Sequence, residues 1–240
     1  MTRVTRRGRI KRVQTGELGQ IPTLGLTVAK LDKGDELIWA ALTSGDEEFI
    51  IVTRRGQAIR FTEEQVRPMG RSAVGVWAIK LSPGDEVVGA SLCRRGKELL
   101  IITERGYAKR SLLSEYPSQG RYGVGVRAMD VAKLTATGPI AAVGVVEPED
   151  EVIVMSTTGS ALRIKAEDVP LLKRATWGTL VRGRRTAIAL RGSEIVASVT
   201  VLRGEESSTK RSGSRSAAQS RQTGRRARKA TTSRGGTATK

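Results

Sequence analysis

Thr5-Arg6-Arg7-Gly8 returns as Thr53-Arg54-Arg55-Gly56 and as Thr103-Glu104-Arg105-Gly106, then fades to Thr157-Thr158-Gly159. The glycines stand 48, 50 and 53 residues apart. A second signature keeps step: Gly25-Leu26-Thr27-Val28-Ala29-Lys30-Leu31 against Gly75-Val76-Trp77-Ala78-Ile79-Lys80-Leu81 and Gly125-Val126-Arg127-Ala128-Met129-Asp130-Val131. A fixed period of this size means a repeat architecture, in which each unit buries its apolar face against the next.

The second unit is the clearest. Phe49-Ile50-Ile51-Val52 is a short continuous run of branched residues, as in a strand covered on both faces. Thr53 to Gly56 supplies a turn, with Gly56 free to take positive φ. Ala58-Ile59-Arg60-Phe61 returns, so the segment reads as a hairpin with two arginines at its tip. A Pro/Gly loop, Val66 to Ala73, leads into a strand around Val76 to Leu81. The turn Ser82-Pro83-Gly84-Asp85-Glu86 then opens the strand Val87 to Leu92. The third unit copies this through Leu99-Leu100-Ile101-Ile102 and Tyr107-Ala108-Lys109-Arg110, the fourth more weakly through Val152 to Met155 and Ala161 to Lys165. Four short strands per unit, with no long helical period, predict an all-β, propeller-like array of about four four-stranded blades. A β-sandwich is the fallback. The units run over about 4–48, 49–98, 99–151 and 152–202 within an array of residues 1–202, and residues 203–240 form a basic tail.

Charge points to a polyanion. The 240 residues carry a net +18, of which +9 lies in residues 203–240, with 11 Lys/Arg against 2 Asp/Glu. Both parts are basic, and nucleic acid is the natural partner. Histidine is absent, which removes the commonest general base and metal ligand and with them any Cys/His zinc site or His-dependent triad. Glu63-Glu64, Asp46-Glu47-Glu48 and Glu147 to Glu151 read as solvated turn charges rather than acid/base pairs. No phosphate-binding Gly-x-x-x-x-Gly-Lys-Ser/Thr loop occurs. The single cysteine, Cys93, cannot make an internal disulfide. It reads as a small apolar residue at a strand end, although Arg94 and Arg95 beside it are able to lower its pKa. No apolar run approaches the ~20 residues of a membrane helix. The expectation is a cytoplasmic chain, not catalytic by itself, without cofactor, metal, membrane or small-molecule substrate.

The candidate DNA contacts follow from the repeat. Basic tips recur at one position of successive blades, as Arg6 and Arg7, Arg54 and Arg55, and Arg105, and Arg9, Arg60, Lys109 and Arg110 follow on the returning strands. The loop arginines Arg67, Arg71 and Arg121 join them. In the fourth unit, Arg163, Lys165, Lys173 and Arg174 take over where the tip motif fades. With eight aromatic residues in all, none interleaved with the basic tips, the set suits duplex phosphates better than single strands stacked on rings. From Gly204 the chain loses its apolar runs and is expected to be disordered, with Arg225, Arg226, Arg228 and Lys229 attracting phosphate.

The hairpin motifs, residues 66–90 (VRPMGRSAVGVWAIKLSPGDEVVGA) and residues 116–131 (YPSQGRYGVGVRAMDV) strongly resemble the C-terminal domain of the bacterial DNA gyrase A protein. The topoisomerase IV counterpart is a weaker match. The resemblance covers about residues 3–202. It implies a β-pinwheel that bends duplex DNA around its basic rim, with the other parts of a type IIA topoisomerase as partners. The chain departs from the family pattern in showing about four units rather than six. It begins inside a hairpin, and it lacks the Gln-Arg-Arg-Gly-Gly-Lys-Gly box linked to full wrapping. Tyr107, Tyr116 and Tyr122 lie in blade motifs and take no nucleophile role. The other reading is a propeller-like scaffold for an acidic protein.

Overall fold

A computed structural model describes residues 1–19, 21–181, 190 and 193–203. Its strands are β1 (Thr2–Thr5), β2 (Arg9–Arg12), β3 (Leu37–Ala41), β4 (Glu48–Thr53), β5 (Gln57–Thr62), β6 (Val76–Trp77), β7 (Val87–Leu92), β8 (Glu98–Thr103) and β9 (Tyr107–Leu112). They continue with β10 (Val126–Arg127), β11 (Ile140–Val146), β12 (Glu151–Ser156), β13 (Ala161–Lys165), β14 (Thr179–Leu180) and β15 (Val196–Leu202). One short α-helix, α1 (Leu134–Thr137), and six single-turn 3-10 helices interrupt them among the described residues. The architecture is the expected all-β pinwheel array.

The motif Thr-x-x-Gly is a hairpin closure. Gly8, Gly56 and Gly106 sit at φ of 81°, 87° and 78°, and each donates its amide to the threonine carbonyl three residues back. The threonine hydroxyl finishes the turn by accepting from the residue after the glycine: Arg9 N to Thr5, Gln57 N to Thr53 and Tyr107 N to Thr103, at 3.0–3.1 Å. In the fourth unit Ser156 supplies that hydroxyl, 3.1 Å from Ser160 N. The motif therefore persists there with serine in place of threonine.

The sheets differ from contiguous four-stranded units in one respect. Their orders are β3-β1-β2-β6, β10-β5-β4-β7, β11-β8-β9-β14 and, among the described residues, β13-β12-β15. Each two-residue strand β6, β10 and β14 leaves its own unit and pairs, antiparallel, with the hairpin of the unit before it. The strand expected over Val76 to Leu81 is thus only two residues long. Ala78 and Ile79 beyond it are buried in the junction of the first two blades.

Three apolar cores lie between consecutive blades among the described residues. Val4 and Ile10 meet Phe49, Ile51, Ile59 and Phe61 between blades one and two, with Phe49 and Phe61 edge to face at 4.7 Å. Ile50, Val52 and Ala58 meet Leu99, Ile101 and Met129 between blades two and three. Leu100 and Ile102 meet Val152, Val154 and Ile164 between blades three and four. Successive residues of β4 and β8 thus point into different cores, which is why both strands read as unbroken apolar runs.

Candidate nucleic-acid interface

Many of the arginines picked out by the repeat are ties within the fold. Arg12, Arg60, Arg110 and Arg163 hold one position, four residues after the hairpin glycine, and each is within ion-pair range of a glutamate: Glu63, Glu48, Glu98 and Glu151. Arg110 is buried and donates from Nε to the Val169 carbonyl (2.7 Å) and from Nη2 to the Glu167 carbonyl (3.3 Å). Arg60 reaches the carbonyls of Leu113 (2.8 Å) and Tyr116 (3.3 Å). Both arginines fix the turn of the following unit. Lys109 is fully buried, its ammonium held by the Lys173 and Arg174 carbonyls; desolvation lowers its pKa to about 8. Lys11 repeats that clamp on the carbonyls of Arg71 and Ala73. Lys109, Arg60 and Arg110 are therefore placed as internal braces.

The tip arginines stitch neighbours together. Arg6 pairs with Glu36 (2.8 Å) and approaches Glu86 of blade two (3.9 Å). Arg54 pairs with Glu86 (3.5 Å) and with Glu104 of blade three (2.5 Å). Arg55 donates to the Pro83 carbonyl at 2.9 Å, and Arg105 to those of Thr135 and Ala136. Arg7 is exposed and its guanidinium lies over Gly34. Arg163 and Lys165 are exposed but paired with Glu151 and Glu167.

A different basic strip follows the sheet edges formed by β6, β10 and β14. Arg9 lies 3.8 Å over the exposed Trp77 ring and reaches Asp32 at 3.1 Å. Arg121 of the next unit donates to the Trp77 carbonyl at 2.6 Å, and Arg174 of the unit after that to the Arg127 carbonyl. Lys173 stands beside it, 84% exposed and 3.7 Å from Glu115. Arg67, Lys80, Arg127 and Lys133 are exposed and form no ion pair among the described residues, as does the half-buried Arg71. Lys80, Arg127 and Lys133 are missing from the sequence-derived set. The second signature carried the signal for two of them, with Arg127 in the edge strand β10 and Lys80 three residues past β6. The exposed aromatics Trp77, Tyr122 and Trp177 also accompany this strip, interleaving that the linear sequence concealed.

Arg225, Arg226, Arg228 and Lys229 lie outside the described residues. Arg203, expected in the tail, is bound into the fold through Asp150 and the carbonyls of Arg95 and Val145. Cys93 is half-buried after β7, and burial pushes its thiol up to about 12, overriding Arg60 nearby. Tyr116 is buried with its hydroxyl 2.7 Å from Ser111 Oγ, and burial raises its pKa to about 12. Among the described residues no cluster of three or more metal-ligating side chains occurs, and no helix is long and apolar enough to cross a membrane.

The profile of the family described as "DNA gyrase C-terminal domain, beta-propeller" matches residues 4–44, 47–94, 97–147 and 150–181. This chain belongs to that family. It is 40% identical over 199 residues to the DNA gyrase A protein of Kosmotoga olearia, covering 82% of this chain and 24% of that protein. It is 34% identical over 213 residues to the DNA gyrase A protein of Haloquadratum walsbyi, covering 88% and 24%. The chain thus spans about a quarter of the length of these relatives. Among solved structures it is similar to a DNA gyrase A C-terminal domain, at 25% identity and TM-score 0.73, covering 84% of this chain and 65% of that one. A DNA topoisomerase IV C-terminal domain aligns at 25% identity and TM-score 0.74, covering 83% and 60%.

Proposed function

We propose that this chain is a duplex DNA-binding and bending module of a type IIA topoisomerase, acting in the cytoplasm beside the other parts of that assembly. The observation that carries the reading is the basic strip along successive sheet edges. Residues from consecutive units interlock there through Arg121 on Trp77 and Arg174 on Arg127, so the spacing of its cations follows the spacing of the blades. Phosphates along a curved path meet Arg67, Arg71, Lys80, Arg127 and Lys133 without first breaking an ion pair. Tip residues such as Arg54 would have to leave Glu86 and Glu104. Smooth bending of a 20–30 bp site costs on the order of 1–6 kcal/mol, which counterion release from several phosphate contacts offsets. The contacts invoked are to phosphates, so binding should depend on salt rather than on sequence.

The test is a salt-titrated duplex binding assay on the variant carrying Arg67→Glu, Arg71→Glu, Lys80→Glu and Arg127→Glu. Affinity should fall at least ~100-fold at low salt, and the slope of log K against log salt should flatten by about 3–4 units, since each phosphate contact contributes about 0.9. Unchanged affinity in a variant that melts like the parent would overturn the proposal. Competition between duplex DNA and an acidic polypeptide separates this reading from a protein scaffold.

A further inference from the structure

Each exchanged strand makes a rigid joint with the hairpin that receives it. The glycine before the strand is pressed on that hairpin. A Cβ on Gly75, Gly125 or Gly178 would lie 2.3–2.5 Å from the carbonyl oxygen of Ile10, Ala58 or Ala108. One residue past the strand, the amides of Ala78, Ala128 and Val181 donate to the carbonyls of Gly8, Gly56 and Gly106 at 2.7–2.8 Å. Gly25 opens the same signature at φ 85°, but a Cβ there would meet nothing within 4 Å.

The joint between the first two blades carries an aromatic patch that neither the core nor the turn explains. Trp77 is 38% exposed, and the Arg9 guanidinium, itself held by Asp32, lies 3.8 Å over its ring. The loop of the third unit runs alongside. Its Arg121 donates to the Trp77 carbonyl, its Tyr122 amide to the Ala78 carbonyl at 2.8 Å, and its Gly123 carbonyl accepts from the Lys80 amide at 2.9 Å. Tyr122 is the one non-glycine residue with positive φ among the described residues, at 67°, a region unfavourable for a bulky side chain. Ser72 and Ala175 follow Arg71 and Arg174 as Tyr122 follows Arg121, and neither adopts it. Yet Tyr122 is 49% exposed and in no ring pair among the described residues, so no buried contact offsets the strain. Described units flank the patch on both sides.

We infer that Trp77 and Tyr122 are stacking platforms for unpaired nucleotide bases, with Lys80 and Arg121 at the phosphates beside them. The inference rests on the strip being a nucleic-acid interface and adds a second ligand, single-stranded DNA, at one point of it. An indole and a phenol offer a flat face to any base, whereas the faces of bases inside a duplex are already stacked. The cation over Trp77 holds the indole in one orientation, so a base meets a prepared surface. Strain at Tyr122 has the same outcome, since the backbone presents the ring before any ligand arrives. Charge completes the match. Lys80 forms no ion pair among the described residues, and the carbonyl partners of Arg121 leave its charge uncancelled.

The test titrates the full chain into a labelled single-stranded oligothymidylate and, separately, into an intact labelled duplex, following anisotropy at low salt. Both should bind. Tyr122→Gly, which relieves the backbone, should melt no lower than the parent and weaken single-strand binding about tenfold, as loss of a stacked base does. Adding Trp77→Val should weaken it further, while duplex affinity and its salt slope change less than about twofold. A parent that does not hold the single strand, or variants that hold it unchanged, would overturn the inference. Equal losses for single strand and duplex would assign the rings to the duplex and overturn it too. A parent that binds the single strand through these rings but not the duplex would sink the proposed function instead and leave this inference standing.

Discussion

Among the described residues, blades two and three share an apolar core with a neighbour on each face, whereas blades one and four each share one. In the middle, Ile50 and Ile51, or Leu100 and Ile101, point into different cores and all are fully buried. At the ends the same positions carry other chemistry: Arg3 stands where Ile51 and Ile101 do, and Met155 where Val52 and Ile102 do. A repeat therefore repeats its hydrogen bonding more faithfully than its energetics. The same turn occurs in each blade and the same cross-hairpin ion pair in blades two to four, but their worth depends on what covers them.

The largest contrast should come from the arginine four residues after the hairpin glycine. Arg110 and Glu98 have side chains 8% and 9% exposed, so Arg110→Met strands a buried carboxylate and should cost about 3–5 kcal/mol in urea unfolding. Arg163 and Glu151, at 64% and 34%, form the same pair in solvent, and Arg163→Met should cost about 0–1 kcal/mol. Equal losses would break the comparison.

Next come the joint glycines. Gly125→Ala forces a Cβ to 2.4 Å from the Ala58 oxygen at φ 82°, which should cost about 1–2 kcal/mol for the left-handed backbone and about 1–3 more for the clash. Gly25→Ala pays only the first, and thermal melts should rank the two.

The smallest effect is a pH slope. Lys109 loses its proton near pH 8 in the folded chain and near 10.5 when unfolded, so between these values the unfolded state binds more protons and stability rises with pH. The slope is at most about 1.4 kcal/mol per pH unit. Lys109→Met should remove it, and a slope that persists would mean that the ammonium is not desolvated as placed.

Much of the fold was legible because the hairpins are local. Thr53 closes its turn on Gly56 and Gln57, only three and four residues away, and runs such as Leu99 to Ile102 reveal strands covered twice. Strand exchange was not legible, because Val76-Trp77 reads the same whether it pairs with its own hairpin or with the one before. The candidate site was harder still. Charge marks a residue as a cation but not whether a carbonyl or carboxylate already holds it, so Lys109 and Arg127 look alike in sequence. One is a buried clamp and the other is exposed without an ion pair.

Strand exchange also puts the sequence period out of phase with the sheets. A duplication that inserts one whole period anywhere in the gene gives the new hairpin a donated strand from the following unit, and the new strand a hairpin in the preceding one. The array can lengthen by a blade without any sheet passing through a broken intermediate. A deletion of half a period leaves a strand with no host, so growth by whole units is the path of least resistance for this fold's history.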